Sequence, residues 1–356
     1  MLDDLYYDSV ELLEQLIATP SVSRDETAAA DLVEKFARKN MPGEVTRHNN
    51  NIIITAPGFD PARPTLLLNS HIDTVKPVEG WSRDPFTPET DQHGRLYGLG
   101  SNDAGGPLVS LIAAYRFLAS YPQAYNLLLV ASAEEEVSGK NGFESVLPLL
   151  PSITVAIVGE PTGMQPAVAE KGLMVLDCEA HGLAGHAARD EGVNAIYKAI
   201  KVIDRLRTLR FERVSETLGP VKISVTQINA GTQHNVVPDT CRFVVDVRST
   251  DAYSNEETLE IIRRTAGDDI TVTPRSTRLN PSGIDIDNPV VQRLILHGRT
   301  PFGSPTLSDQ ALMPFPSLKL GPGSSSRSHH ADEFIYIDEI REAIELYVRV
   351  LHMLKI

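Results

Sequence analysis

The chain has only two cysteines, Cys178 and Cys241, among 356 residues. A disulfide framework needs more, so at most one bond is available, and both thiols are expected in a core. No uncharged apolar run reaches the roughly 18 residues that a membrane-spanning helix needs, so no membrane contact is expected. The leading stretch MLDDLYYDSVELLEQL has neither a basic start nor an apolar centre. That argues against a signal peptide and for a cytoplasmic location. Positive charge is also scarce, with 33 Lys and Arg against 47 Asp and Glu and a net charge of -14. Such a balance opposes non-specific binding to nucleic acid, and no basic stripe is interleaved with aromatic residues. It suits a protein that handles cations or small molecules. Internal repeats and low-complexity segments are absent, and the Gly/Ser-rich GPGSSSRSHH is too short to be a linker.

A hydrophobic fraction of 42% over this length is enough for two domains with real cores. Leu5, Leu12, Leu13, Leu16 and Ile17 recur at helical spacing until Pro20. A second helix is predicted over about 26–40. NIIITAPG, PTLLLNSHID, YNLLLVAS and SITVAIVG read as strands, with the long apolar helix AGGPLVSLIAAYRFLAS among them. This alternation predicts an α/β catalytic domain with a central, mostly parallel sheet flanked by helices. The middle of the chain differs. GLMVLDCEAHG, VKISVTQINAG and CRFVVDVRS alternate polar and apolar residues, with helices at about 192–206 and 254–265. That predicts a smaller α+β domain over 173–285, inserted between catalytic segments 1–172 and 286–356.

Ligands of open α/β sheets gather beyond the carboxyl ends of the strands. His71 and Asp73 follow LLLNS, Asp103 follows RLYGLG, Glu134, Glu135 and Glu136 follow LLLVAS, Glu160 follows AIVG, and His329 and His330 follow LKLGPG. Three adjacent glutamates repel one another, and a buried strand end adds a desolvation cost. Cations would relieve both. Imidazoles mixed with carboxylates suit Zn²⁺, with Co²⁺ and Mn²⁺ as alternatives. The donors exceed the needs of one tetrahedral ion and match two ions about 3.5 Å apart. Asp73 lies two residues after His71, so both side chains share a strand face. Its carboxylate is expected to hold the His71 ring in one tautomer.

SHIDTV, GLGSNDAGG, AEEEV, GEPT, GLAGHAA, GTQHNVVPDTCRFVVDVR and GPGSSSRSHHADEF occur in this order along nearly the whole chain. Together they resemble the M20 family of metallopeptidases and amidohydrolases, and within it most closely the acetylornithine deacetylase branch. The resemblance implies a zinc-peptidase-like catalytic domain with an inserted lid and dimerisation domain. It implies a first metal on His71, Asp103 and Glu160, and a second on Asp103, Glu136 and His329. Glu135 becomes the general base, and Glu134 is not a ligand. Ala104-Gly105-Gly106 departs from the family's commoner DAKG and removes a lysine beside the bridging carboxylate.

In the inserted domain, His186 resembles a histidine that reaches a partner subunit's active site and helps hold the scissile carbonyl oxygen. Asn235 and Arg248 resemble positions of the same lid, Asn235 as a substrate contact and Arg248 as a substrate or structural residue. Arg327 is a candidate carboxylate clamp, because guanidinium binds carboxylates bidentately. Thr306 and Ser308, in GSPTLSDQ, are candidate donors to a substrate carboxylate. The implied partners are a small N-acyl amino acid and a second copy of the chain. The implied reaction is hydrolysis of N-acetylornithine, or of an N-acetyl or N-succinyl derivative of ornithine or citrulline, in arginine biosynthesis. Related branches act on succinyl-diaminopimelate and on peptides. A non-catalytic metal-binding protein would be expected to lack a ligand or the base, and here every position is filled.

Overall fold

The structure is a computed structural model and describes residues 2–356. The chain divides into two compact units. The first holds the described residues up to Val168, then Gly283–Phe302 and Ser308–Ile356; the second holds Ala169–Ser282 and Gly303–Leu307. The insertion is therefore present, with crossings a few residues earlier than the sequence pattern placed them. The pattern also gave no sign that Gly303–Leu307 returns to the smaller unit. That segment carries Thr306, whereas Ser308 lies in the larger unit.

In the first unit, six strands of the main sheet stand in the order Glu44–His48, Asn51–Thr55, Asn126–Ser132, Thr65–His71, Val155–Val158 and Ser317–Lys319. The last four are mutually parallel, and the first two form an antiparallel edge. Every residue of Thr65–His71, Asn126–Ser132 and Val155–Val158 is buried. Both faces are covered, which is why these strands read as continuous apolar runs rather than alternations. On one face Leu66, Leu68, Leu129 and Ile157 pack with the helices Leu2–Ile17, Gly106–Ala119 and Ile337–Leu351. On the other, Leu67, Leu128 and Val130 pack with Phe143, Val146 and Met313. Gly106–Ala119 is buried along almost its whole length, consistent with its scarcity of charge.

One strand differs from expectation. Arg95–Tyr97 is not part of the main sheet; it pairs with Phe334–Tyr336 and Glu89–Thr90 in a separate three-stranded sheet. Tyr97 and Phe334 pack tilted against each other, with ring centroids 5.5 Å apart. A three-residue strand carries too little pattern to reveal which sheet it joins.

The second unit is a four-stranded antiparallel sheet in the order Lys222–Ala230, Thr240–Ser249, Gly172–His181 and Ile270–Pro274. Buried residues alternate along Gly172–His181 and Thr240–Ser249, so one face is covered. The helices Ala195–Thr208 and Asn255–Ala266 supply that core. A capping box between Ser254 and Glu257 starts the second of these helices. Cys178 and Cys241 are buried in this core as free thiols. Among the described residues, no helix is long and apolar enough to cross a membrane.

Candidate metal centre

His71 is the last residue of a central strand and is 2% exposed. Its Nδ1 lies 2.9 Å from the main-chain carbonyl of Asp73. A carbonyl only accepts, so Nδ1 carries the proton and Nε2 turns toward the carboxylates. Nε2 is 3.3 Å from Asp103 Oδ1 and 3.9 Å from both Glu135 Oε2 and Glu160 Oε1. The Asp73 side chain does not hold the ring as expected, since its Oδ1 is 3.6 Å from Nδ1. The reason is geometric: the chain leaves the strand at His71, and the nearest acceptor becomes the carbonyl two residues on. The buried Asp73 carboxylate instead accepts from the amides of Glu135 (3.0 Å) and Glu136 (3.2 Å) and from the Ser23 hydroxyl (2.6 Å).

That carboxylate fixes a tight turn. Glu134 at φ 55° and Ser138 at φ 45° bracket the 3-10 turn Glu135–Val137. Left-handed backbone at residues other than glycine costs of order 1–3 kcal/mol each, and persists only where surrounding bonds enforce it. The strain turns Glu134 away from its neighbours. Its carboxylate takes a 3.0 Å bond from Asn141 Nδ2, and its amide donates to Glu26. Glu136 meets His329, with Nε2 3.1 and 3.2 Å from its two oxygens. Glu135 is left with its carboxyl near His71.

Asp103 sits on the loop that follows the small sheet, not at the end of a main-sheet strand. Its Oδ1 faces His71 and its Oδ2 faces His329, the latter at 3.7 Å. Glu160 lies two residues past the strand Val155–Val158. The donor atoms form three groups, each within 4.8 Å: His71, Asp103 and Glu160; Asp103, Glu136 and His329; and His71, Glu135 and Glu136. The first two are the sets implied by the sequence resemblance, and they share Asp103.

The cluster is short of positive charge. Burial, then the neighbouring acids Glu160 and Glu136, push Glu135 well above the usual carboxyl range, against the pull of His71. Burial and the Asp103 charge push Glu160 up to about 8. Burial lowers the His71 imidazole, but the negative carboxylates of Asp103, Asp73 and Glu135 around it outweigh that, and the ring titrates well above its ordinary value. The bond to Glu136 raises His329 to about 9. Glu160 Oε1 is buried without a hydrogen-bond partner. Neutral Nε2 lone pairs facing carboxylates are repulsive unless a proton or a cation lies between them. Imidazole and carboxylate donors converging in this way fit divalent cations.

The candidate substrate residues are distributed differently. In the second unit, the strand Gly185–His186 pairs with Val236–Val237, and the Ala187 amide bonds the Asn235 carbonyl at 3.0 Å. His186 and Asn235 are thus neighbours on an exposed ribbon. Arg248 is not with them. It lies near the far end of the strand Thr240–Ser249, its guanidinium on the Asp246 carboxylate at 2.9 and 3.2 Å. Thr306 Oγ1 meets Ser304 Oγ at 3.0 Å, and Ser308 Oγ accepts from the Gln310 amide. Arg327 is not free to clamp a ligand: it bonds Glu339 at 2.6 Å and stacks over Phe334 and Tyr336 at 5.0 and 5.5 Å. The helix Ile337–Leu351 supplies that acid, a contact across a chain turn that no local motif shows.

Two buried acids escaped the sequence reading. Asp309 accepts from Ser132 Oγ at 2.6 Å, and burial raises it to about 6. Glu333 accepts from three loop amides beside Asp103. Each acid lies within a motif of the sequence, Asp309 in GSPTLSDQ and Glu333 in GPGSSSRSHHADEF. Their position in those motifs was the available signal.

Residues 67–353 match the model of peptidase family M20/M25/M40. An acetylornithine deacetylase from Proteus mirabilis is 30% identical, with 94% of each chain covered. One from Yersinia pseudotuberculosis is 29% identical, over 94% of this chain and 95% of its own. A tripeptidase from Staphylococcus aureus superposes with a TM-score of 0.76 at 19% identity, over 97% of both chains. A dinuclear metal-binding M20 peptidase from Bacillus subtilis gives 0.75 at 17%, over 99% of both. The chain belongs to peptidase family M20/M25/M40. It is a metal-dependent amidohydrolase of that family, with a candidate site for two divalent cations.

Proposed function

We propose that the protein hydrolyses the amide of an N-acyl amino acid, namely N-acetylornithine or a related N-acetyl or N-succinyl derivative of ornithine or citrulline. The observation that carries the chemistry is the pair of donor groups joined at Asp103, with Glu135 beside them and unused by either. Full-length similarity to acetylornithine deacetylases supports the substrate class. His71, Asp103 and Glu160 would hold one cation, and Asp103, Glu136 and His329 the other. Zn²⁺ fits this mix first, with Co²⁺ and Mn²⁺ as competitors. When bound, the ions supply Lewis acidity and lower the pKa of a water at neutral pH.

The chain's own groups do the rest. Glu135, whose environment raises its proton affinity, takes the proton from the attacking water and delivers it to the leaving amine. The Asp73 carboxylate fixes the backbone from which Glu135 and Glu136 project. His186, with Asn235 beside it, is assigned to the carbonyl oxygen of the substrate, where a positioned donor favours the tetrahedral oxyanion. That contact would come from a second copy of the chain in a homodimer, a reading that the resemblance of the His186 motif supports.

Amine release tests this reading. Zn²⁺- or Co²⁺-loaded protein is given N-acetylornithine, N-acetylcitrulline, N-succinylornithine, N-succinylcitrulline and N-succinyl-diaminopimelate in parallel, with a free dipeptide followed by substrate loss. Preference for an ornithine or citrulline derivative supports the proposal and identifies the acyl group. Preference for the dipeptide or the diaminopimelate derivative overturns the substrate assignment.

A further inference from the structure

Asp103 has to meet two donor groups at once, and its loop has no main-sheet strand to hold it. The loop is gripped from the segment that carries His329. Glu333 is 2% exposed, and its carboxylate takes three main-chain bonds: Oε2 from Gly100 at 3.1 Å, Oε1 from Asn102 and Asp103 at 2.9 Å each. Its own carbonyl accepts from Gly98 at 3.0 Å. Asn102, wholly buried, returns the grip. Its Oδ1 accepts from the Ser324 amide at 2.9 Å, while Nδ2 donates to the Ser324 carbonyl at 3.1 Å and the Ser328 hydroxyl at 3.2 Å. The Ser328 hydroxyl in turn stands close to the Asp103 carboxylate and favours its charged form. These bonds join residues more than 220 positions apart in sequence. They run immediately beside Asp103 on one segment and His329 on the other.

We propose that Glu333 and Asn102 form a clasp that sets the separation of the two donor groups sharing Asp103, and so lets the site take two cations rather than one. Neither residue reaches a cation; both are positioning residues acting through the backbone of Asp103 and His329. The clasp spares the first group in part, because His71 and Glu160 follow main-sheet strands and need no such support. The second group depends on it fully, since His329 comes from a loop and its side chain is half exposed. The inference rests on the two-cation reading above.

Glu333→Gln is the sharpest probe. It keeps the shape but sets an NH₂ group against a main-chain N–H, donor against donor. Metal-stripped wild type and variant are titrated with Co²⁺ by calorimetry and by visible absorption of the bound ion, with Tm measured on the metal-free forms. The wild type is expected to take two equivalents. The variant is expected to keep the first within about threefold and to bind the second about 10–100-fold more weakly, the usual cost of losing a group that orients a ligand. Excess Co²⁺ should restore its kcat with KM unchanged. If the variant does not fold, Asn102→Ser is read by the same criteria. Two equivalents in the variant with unchanged affinities and spectrum overturn the clasp and leave the two-cation reading intact. Equal weakening of both equivalents also overturns it. A single equivalent in the wild type overturns the two-cation reading, and the clasp with it.

Discussion

At the residue scale, Asp73 divides its work between two parts of one residue. Its carbonyl orients His71, and its carboxylate holds the amides of Glu135 and Glu136. The Asp73→Ala variant separates the two. The carbonyl survives, so chelator competition should find the tighter cation retained within about tenfold, while kcat falls by about 10–100-fold as the glutamate turn loosens. Loss of the tight cation in step with kcat would return the orienting role to the carboxylate. Glu135→Gln keeps the turn and removes only the proton acceptor. It should retain both equivalents of metal and lose at least about 100-fold in kcat. More than about a tenth of wild-type kcat in a metal-replete Glu135→Gln sample would take Glu135 out of that role.

At the element scale, the site is built from strand ends and the turns that leave them. His71, Glu135, Glu136 and Glu160 were legible because each follows an apolar run that can only be a buried strand. The grouping of Asp103 with His329 was legible only through resemblance to known motifs, since both come from loops outside the main sheet. The loop also explains its own departure from the common motif. A Cβ at Gly105 would lie 2.5 Å from the Gly100 carbonyl oxygen and 2.6 Å from Leu13 Cδ1. No lysine fits against the helix Leu2–Ile17 there. Gly105→Ala should therefore destabilise by about 1–3 kcal/mol, the usual cost of overpacking. Thermal unfolding of the metal-free variant checks this, and an unchanged Tm would refute the close approach.

For the whole molecule, the acidic cluster makes stability depend on pH in a direction that cations reverse. Glu160 and Glu333 are raised to about 8, Asp309 to about 6, and Glu135 well above its usual range. His329 is raised to about 9, and His71 also lies above its ordinary value. All of these bind more protons in the folded state than in the unfolded one. Where the folded state holds the excess, stability falls as pH rises. Asp73 and Asp103 are lowered, and their contribution is already complete above about pH 4. Metal-stripped protein should therefore lose Tm steadily from about pH 5 to pH 9. Cations compete with these protons, so the Tm gain on adding Zn²⁺ should widen over the same range. A gain that is flat or narrows with pH would contradict the charge balance of the cluster.

The sequence alone determined the α/β class, the insertion of a smaller α+β unit and the acids and histidines at strand ends, because burial on two faces and on one face leave different periodicities. It also determined that Cys178 and Cys241 are core residues, since both sit in alternating strands. Tertiary structure decided what lies between distant segments. It gave Arg327 to Glu339, set the Asp73 carboxylate on a turn instead of an imidazole, and brought Glu333 beneath Asp103. Those bonds join chain segments whose separation leaves no periodic trace, and only packing selects among the many acids that could have made them.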